Sequence, residues 1–287
     1  MANTQTRRRR KLGAYLQELR KRANLTPEDV GAFLDISRPT INRVESGHTR
    51  CRRAELQAML GYYQVAEQER AKALSLWDDA KDDATKIRFP ARSSSAFRNF
   101  LQAETEATTL DVLDPYLVSG LLQTADYARA VQLPTASPYA EKPAEVERYV
   151  ASRLNRQHRL SGANPLRLRA FLDEGVIRRI VGGSAVMIEQ LVRLLEIGTH
   201  DNIQIRVIPV SVGAYGTMSG GVTVVGFDDL EDPYAAYLEH AGGGAWVEDA
   251  EATQRYVHMF NGLDAVALSE SATAELIRHQ TRALEGL

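Results

Sequence analysis

The sequence predicts two domains of different class: an all-α unit over residues 1–85, and an α+β unit over residues 86–287 with helices packed on a mixed sheet. Three observations lead there. Five helical patterns run up to Ala80, two of them with matching cap residues. A polar stretch, Asp78–Ala84 (DDAKDDA), then leads into Phe89-Pro90-Ala91-Arg92-Ser93-Ser94-Ser95, the composition of a linker. Beyond it, segments of period two alternate with segments of period 3.6. A chain of 287 residues can hold both units, and 44% hydrophobic with 25% charged residues is ordinary for a soluble globular protein.

Leu12–Ala23 reads as the first helix. The second opens on Thr26-Pro27-Glu28-Asp29, where Thr26 caps the free amides, Pro27 suits the first helical position and Asp29 completes a capping box. Val30, Phe33 and Leu34 then recur at helical spacing. Asp35 falls where the chain must reverse, because its short polar side chain tolerates a left-handed backbone. Ile36 plugs the turn and Ser37 caps a third helix, which buries Ile41 and Val44 and ends at Gly47. Arg38, Thr40, Asn42 and Arg43 are left on faces free to meet a partner. Arg53–Tyr63 and Glu67–Ala80 complete the set of five.

The stretch Thr26–Gly47 (TPEDVGAFLDISRPTINRVESG) resembles the helix-turn-helix of the XRE, or phage-repressor-like, regulators, whose domain has five helices. Gly31 stands where that family has a very small residue, and Ile41 and the Val44-Glu45-Ser46-Gly47 ending also match. Asp35 departs from the usual glycine. The resemblance implies a module for an operator in double-stranded DNA, with the third helix in the major groove. Arg38, Thr40, Asn42 and Arg43 are the expected readers of base edges, and Ser37, Arg50, Arg52 and Arg53 the expected phosphate contacts. It also implies an ion pair between Arg20 and Glu45, as at the matching positions of the resembling repressors. One such motif covers a half-site, so a homodimer on a pseudo-palindrome of roughly 10 bp spacing is expected.

Charge is divided unevenly. Residues 1–53 hold 13 Lys and Arg against 5 Asp and Glu, a balance of +8, which leaves −10 for the rest of a chain whose total is −2. A basic N-terminal module joined to an acidic remainder suits a DNA-binding unit with a separate partner domain. Arg7–Lys11 reads as a flexible basic arm that follows phosphates or enters a minor groove, or as a solvated tail. No apolar stretch follows it, so it is not a secretory signal, and no run is long enough to span a bilayer. These features place the protein in the cytoplasm. The lone Cys51 excludes an intramolecular disulfide and offers no zinc spacing.

In the second unit Phe97–Ala107 reads as a helix and Thr108–Leu113 as a strand. Helices follow at Leu121–Val131 and Ala144–Leu160, then a strand at Leu166–Leu172 (LRLRAFL) with Arg167 and Arg169 outward. Glu174–Ile180 and Ala185–Ile197 are helices parted by Gly182-Gly183. Ile203–Val207, Gly221–Phe227 and Ala235–His240 are strands, and the glycines at 242–244 turn the chain into Trp246-Val247. Helices over Ala250–Leu263 and Ala265–Leu284 close the chain.

The string from Pro115 to Arg129 (PYLVSGLLQTADYAR), with Leu172–Arg179 (LDEGVIRR) and Val181-Gly182-Gly183, resembles the C-terminal domain of the actinomycete antitoxin-like (WhiJ-like) XRE regulators. That resemblance implies regulation, and association with a small BldB-like partner protein. The family's usual histidine after Gly213 appears here as Tyr215. Tyr116, Tyr127, Tyr215 and Tyr237 are the candidate rim of a pocket for a small-molecule effector. Nothing points to catalysis or to a cofactor. The six histidines form no H-x-x-x-H pair and no H-x-K, and neither G-x-S-x-G nor a Walker loop is present. Asp173-Glu174 reads as helix-start charge, and alternation sends Glu239 and His240 to opposite faces.

Overall fold

A computed structural model describes residues 7–80, 94–132, 143–216, 218–228, 234–240 and 243–286. The chain divides into two compact units, residues 1–87 and 88–287. The expected boundary at residue 85 and most of the expected linker lie outside the described residues.

The first unit is the expected set of five helices: α1 (Arg7–Arg22), α2 (Pro27–Leu34), α3 (Arg38–Glu45), α4 (Arg53–Tyr62) and α5 (Glu67–Asp79). The capping box of α2 forms as read. Asp29 N donates to Thr26 Oγ1 at 3.2 Å, and Thr26 N donates to Asp29 Oδ2 at 2.7 Å. Asp35 takes the left-handed backbone, φ 54° and ψ 43°. Gly31 answers to the turn itself, since a Cβ there would stand 2.7 Å from the Ile36 carbonyl oxygen. Leu12, Leu16, Leu19, Val30, Ile41, Val44, Leu56, Met59 and Leu60 make the core.

Two expectations for this unit need correction. Arg7–Lys11 is no arm but the start of α1. A Cβ on Gly47 would lie 2.6 Å from Arg10 N, so the backbone of α1 rests against the end of α3. That support is tertiary and leaves no mark on the local pattern. Phe33 does not join the core. Half exposed, it stacks on Tyr62 with ring centroids 4.2 Å apart. Cys51 is buried under Trp77, whose Nε1 donates to the Cys51 carbonyl at 2.8 Å, and burial pushes its thiol up to about 12. Since the thiolate is the reactive form, Cys51 is expected to escape iodoacetamide in the folded protein at mildly alkaline pH and to react once urea unfolds it. The adduct is counted by mass spectrometry, and rapid labelling of the folded chain would contradict the packing.

The second unit contains α6 (Ser95–Glu106), β1 (Thr109–Asp114), α7 (Ala125–Gln132), α8 (Pro143–Arg156), β2 (Arg167–Asp173), α9 (Glu174–Arg178) and α10 (Ser184–Ile197). It continues with β3 (Ile203–Ile208), β4 (Val222–Gly226), β5 (Tyr234–Leu238), β6 (Ala245–Val247), α11 (Ala250–Val266) and α12 (Glu270–Glu285). The sheet is mixed, in the order β3-β2-β1-β4-β5-β6. β1, β2 and β3 are parallel, joined by helical crossovers, and the remaining pairs are antiparallel. Leu110, Val112, Leu168, Ala170, Leu172 and Ile205 pack against α6, α10 and α12 on one face. Leu113, Phe171, Ile208, Val224 and Ala236 meet Phe260 and Leu263 of α11 on the other.

Covering both faces changes the reading of β2. Arg167 is exposed, but Arg169 is not turned to water. It lies under α11, with Nε and Nη2 on Asp111 at 2.9 and 2.7 Å and Nη1 on Asp264 at 2.7 Å. The break between the last two helices also moves, from residue 264 to Ala267-Leu268-Ser269. There Leu268 N donates to Val207 O at 2.8 Å, which pulls the chain out straight beside β3, and Ser269 caps α12. α7 starts at Ala125 rather than Leu121, because Leu121 and Leu122 are buried in a turn closed by Leu122 N to Ser119 O at 2.8 Å.

Candidate nucleic-acid interface

α3 is amphipathic in the sense that DNA recognition needs. Ile41, Val44 and Glu45 are buried, whereas Arg38, Pro39, Asn42, Arg43 and Ser46 are exposed. At about 100° per residue the exposed set falls within an arc of about 140°. Arg38, Asn42 and Arg43, expected from the sequence, share that arc. Thr40 sits at its edge, half buried, with its hydroxyl 2.9 Å from that of Ser37. Ser37 starts α3 by its backbone, but its hydroxyl bonds Thr40 and caps no amide. Pro39 was missed, although the i, i+4 pairs 38 and 42, and 39 and 43, could have shown it. Outside DNA, Arg38 pairs with Glu28 of α2 at 2.7 Å, an exposed contact worth roughly 0–1 kcal/mol.

The frame beneath is held by the expected ion pair. Arg20 Nε and Nη2 donate to the two Glu45 oxygens at 2.6 and 2.8 Å, and Arg20 Nη1 donates to Leu25 O at 2.7 Å. Both side chains are more than nine-tenths buried. The hydrogen bonds to Glu45 push the Arg20 pKa above its ordinary value. Planar fork and carboxylate thus fix the end of α3 against α1 in one orientation.

The phosphate set is less uniform than the sequence suggests. Arg52 is 88% exposed at its side chain, with a long contact of 3.9 Å to Glu55. Arg53 is half exposed, 3.7 Å from Asp78. Arg50 lies over the Trp77 ring, 4.3 Å from its centroid, so its guanidinium is engaged in packing.

Residues 11–73 match the profile of a helix-turn-helix domain, which spans most of α1 through the greater part of α5. Residues 97–279 match that of a domain of unknown function, DUF5753, running from α6 into α12. The chain belongs to the DUF5753 family. No curated protein matches it. No described helix of this DUF5753 protein is long and apolar enough to cross a membrane. No group of three or more His, Cys, Asp or Glu among the described residues is placed to hold a metal.

The four tyrosines of the DUF5753 unit do not rim one pocket. Tyr127 and Tyr237 belong to the apolar cluster on one face of the sheet and Tyr215 to the cluster on the other. Each buried hydroxyl is committed. Tyr127 accepts from Val118 N at 3.2 Å, Tyr215 donates to Asp173 Oδ2 at 2.7 Å, and Tyr237 donates to Gly243 O at 2.9 Å. Tyr116 is exposed and donates to Met218 O at 3.1 Å. Tyr127 stands on α7, Tyr237 on β5, and Tyr116 and Tyr215 in loops, so no periodicity within one element relates them. Asp173 and Glu174 are structural. Asp173 Oδ1 caps Gly175 N at 2.7 Å, and Glu174 Oε2 accepts from Val210 N at 2.9 Å.

Proposed function

We propose that this DUF5753 protein is a sequence-specific transcriptional regulator. It binds an operator in double-stranded DNA through α3, as a homodimer, and its DUF5753 unit takes up a small effector that sets the DNA affinity. The observation that supports this most is the exposed arc of Arg38, Pro39, Asn42 and Arg43, backed by the buried Arg20–Glu45 pair. Arginine forks and asparagine amides at that arc match the donor and acceptor pairs of guanine and adenine, and the Pro39 ring can meet a thymine methyl. No step of this reading is catalytic.

The test separates reading from holding. Arg38→Ala is expected to cost about 1–3 kcal/mol on the preferred operator and to relax choice at one base pair. Arg52→Ala is expected to weaken all sequences alike and lower the salt slope by about one unit. Titrations of operator and scrambled DNA at several salt concentrations check both. An equal loss on both DNAs for Arg38→Ala would make Arg38 a phosphate contact. Absence of sequence preference in the unmodified protein would end the reading.

A further inference from the structure

A cluster of polar side chains gathers at the carboxyl end of β1, on the sheet face that carries Val112 and Tyr237. Three positions sit side by side across the sheet there. Leu113 pairs with Val222, Val222 pairs with Leu238, and Glu239 N donates to Gly221 O at 2.8 Å. Asp114, Gly221 and Glu239 are therefore neighbours at one level, and alternation turns Asp114 and Glu239 to the same face. Two strand spacings, about 10 Å, separate their backbones. Between them Gly221 contributes no side chain. A Cβ at that position would find Glu239 Oε2 and Leu113 O at 3.5 Å, an ordinary contact, so packing does not require the glycine.

The opposite charge comes from α8. The Arg153 guanidinium carbon would lie 3.4 Å from a Cβ on Gly120. It also rests 4.4 Å from the Tyr149 ring centroid and donates through Nη1 to Gln123. Asp114 Oδ2 and Arg153 Nε are both buried, and neither has a hydrogen-bond partner among the described residues. Burial pushes the Asp114 carboxyl up to about 7, with Glu239 adding to the rise, and brings Arg153 down to about 10. An acid and a base that feel each other without bonding, each with a buried atom left unpartnered, are costly to keep, and groups with pKa values so displaced concentrate at functional sites. The end of a run of parallel strands is also where open α/β sheets bind ligands.

We propose that this cluster binds a small zwitterion of the α-amino acid class. Its ammonium lies over Gly221 between Asp114 and Glu239, and its carboxylate meets Arg153. The proposal rests on the effector-binding reading of the DUF5753 unit and gives it a site and a chemistry. The ammonium requires Asp114 ionised, so binding strengthens as pH rises through about 7; Glu239, Arg153 and the Ser119 hydroxyl bonded to Asp114 are the groups that set that midpoint.

Thermal unfolding of the full chain tests it, with an equimolar mixture of the common L-amino acids as probe. Two further arms use the N-acetylated mixture, which lacks the ammonium, and the amino acid amides, which lack the carboxylate. Free amino acids are expected to raise Tm by several degrees, with little or no shift from either derivative. Glu239→Gln and Asp114→Asn are expected to melt cooperatively but lose the shift. No shift of the unmodified chain by free amino acids would overturn the proposal. So would an equal shift with the N-acetylated mixture, or a shift retained in both variants. Operator affinity is measured separately. A shift without any change in DNA binding would uphold the site and remove the effector reading instead.

Discussion

Glu45→Ala is expected to destabilise the helix-turn-helix unit by about 3–5 kcal/mol, because it leaves the Arg20 guanidinium buried without its carboxylate. Arg20 keeps only the Leu25 carbonyl, which carries no full charge to balance it. Arg20→Ala should cost a similar amount for the converse reason. Replacing both, as Arg20→Met with Glu45→Leu, is expected to recover most of the loss, since a well-packed apolar pair avoids the desolvation of two ions. Urea denaturation followed by Trp77 fluorescence in a Trp246→Phe background measures each variant. A single-substitution loss below about 1 kcal/mol would mean the pair is hydrated and contributes as a surface contact does. Specific DNA affinity should fall with Glu45→Ala at temperatures where the fold persists, because the end of α3 loses its anchor on α1.

Phe260→Ala is expected to cost the DUF5753 unit about 3–5 kcal/mol, the range for removing a fully buried aromatic ring. Phe260 is fully buried and meets Phe171 of β2 with centroids 6.0 Å apart. It is the largest fully buried side chain that α11 brings to the sheet. The helix is held besides by Asp264 on Arg169 and Arg206, with distances of 2.7 and 2.8 Å, but those groups are partly exposed and contribute less per contact. Denaturation followed by Trp246 fluorescence in a Trp77→Phe background reads the loss. A cost near 1 kcal/mol would show that α11 settles into the space and that the polar contacts, not Phe260, fasten it.

The first unit was legible because its signals are local. A capping box needs only Thr26 and Asp29, a left-handed turn only Asp35, and an inward helix face only the spacing of Ile41 and Val44. These interactions close within one or two turns of chain, so the sequence by itself determined five helices and most of the exposed arc of α3. The division of fold class, an all-α unit followed by a mixed sheet with packed helices, came from the change of period in the same way.

Only the tertiary structure decided the rest, and each case has the same cause: the partner is far away in sequence. Arg7–Lys11 is helical because Gly47 lets the end of α3 touch its backbone. Arg169 is covered because α11, almost a hundred residues later, brings Asp264 over β2. The tyrosines lie on α7, on β5 and in two loops, and the packing of those elements sends them to different faces, which periodicity within one element does not contain. The Asp114, Gly221 and Glu239 cluster arises from the strand order. β4 and β5 must pair beside β1 before a carboxylate at residue 114 can face one at residue 239, and no local pattern encodes which strands become neighbours.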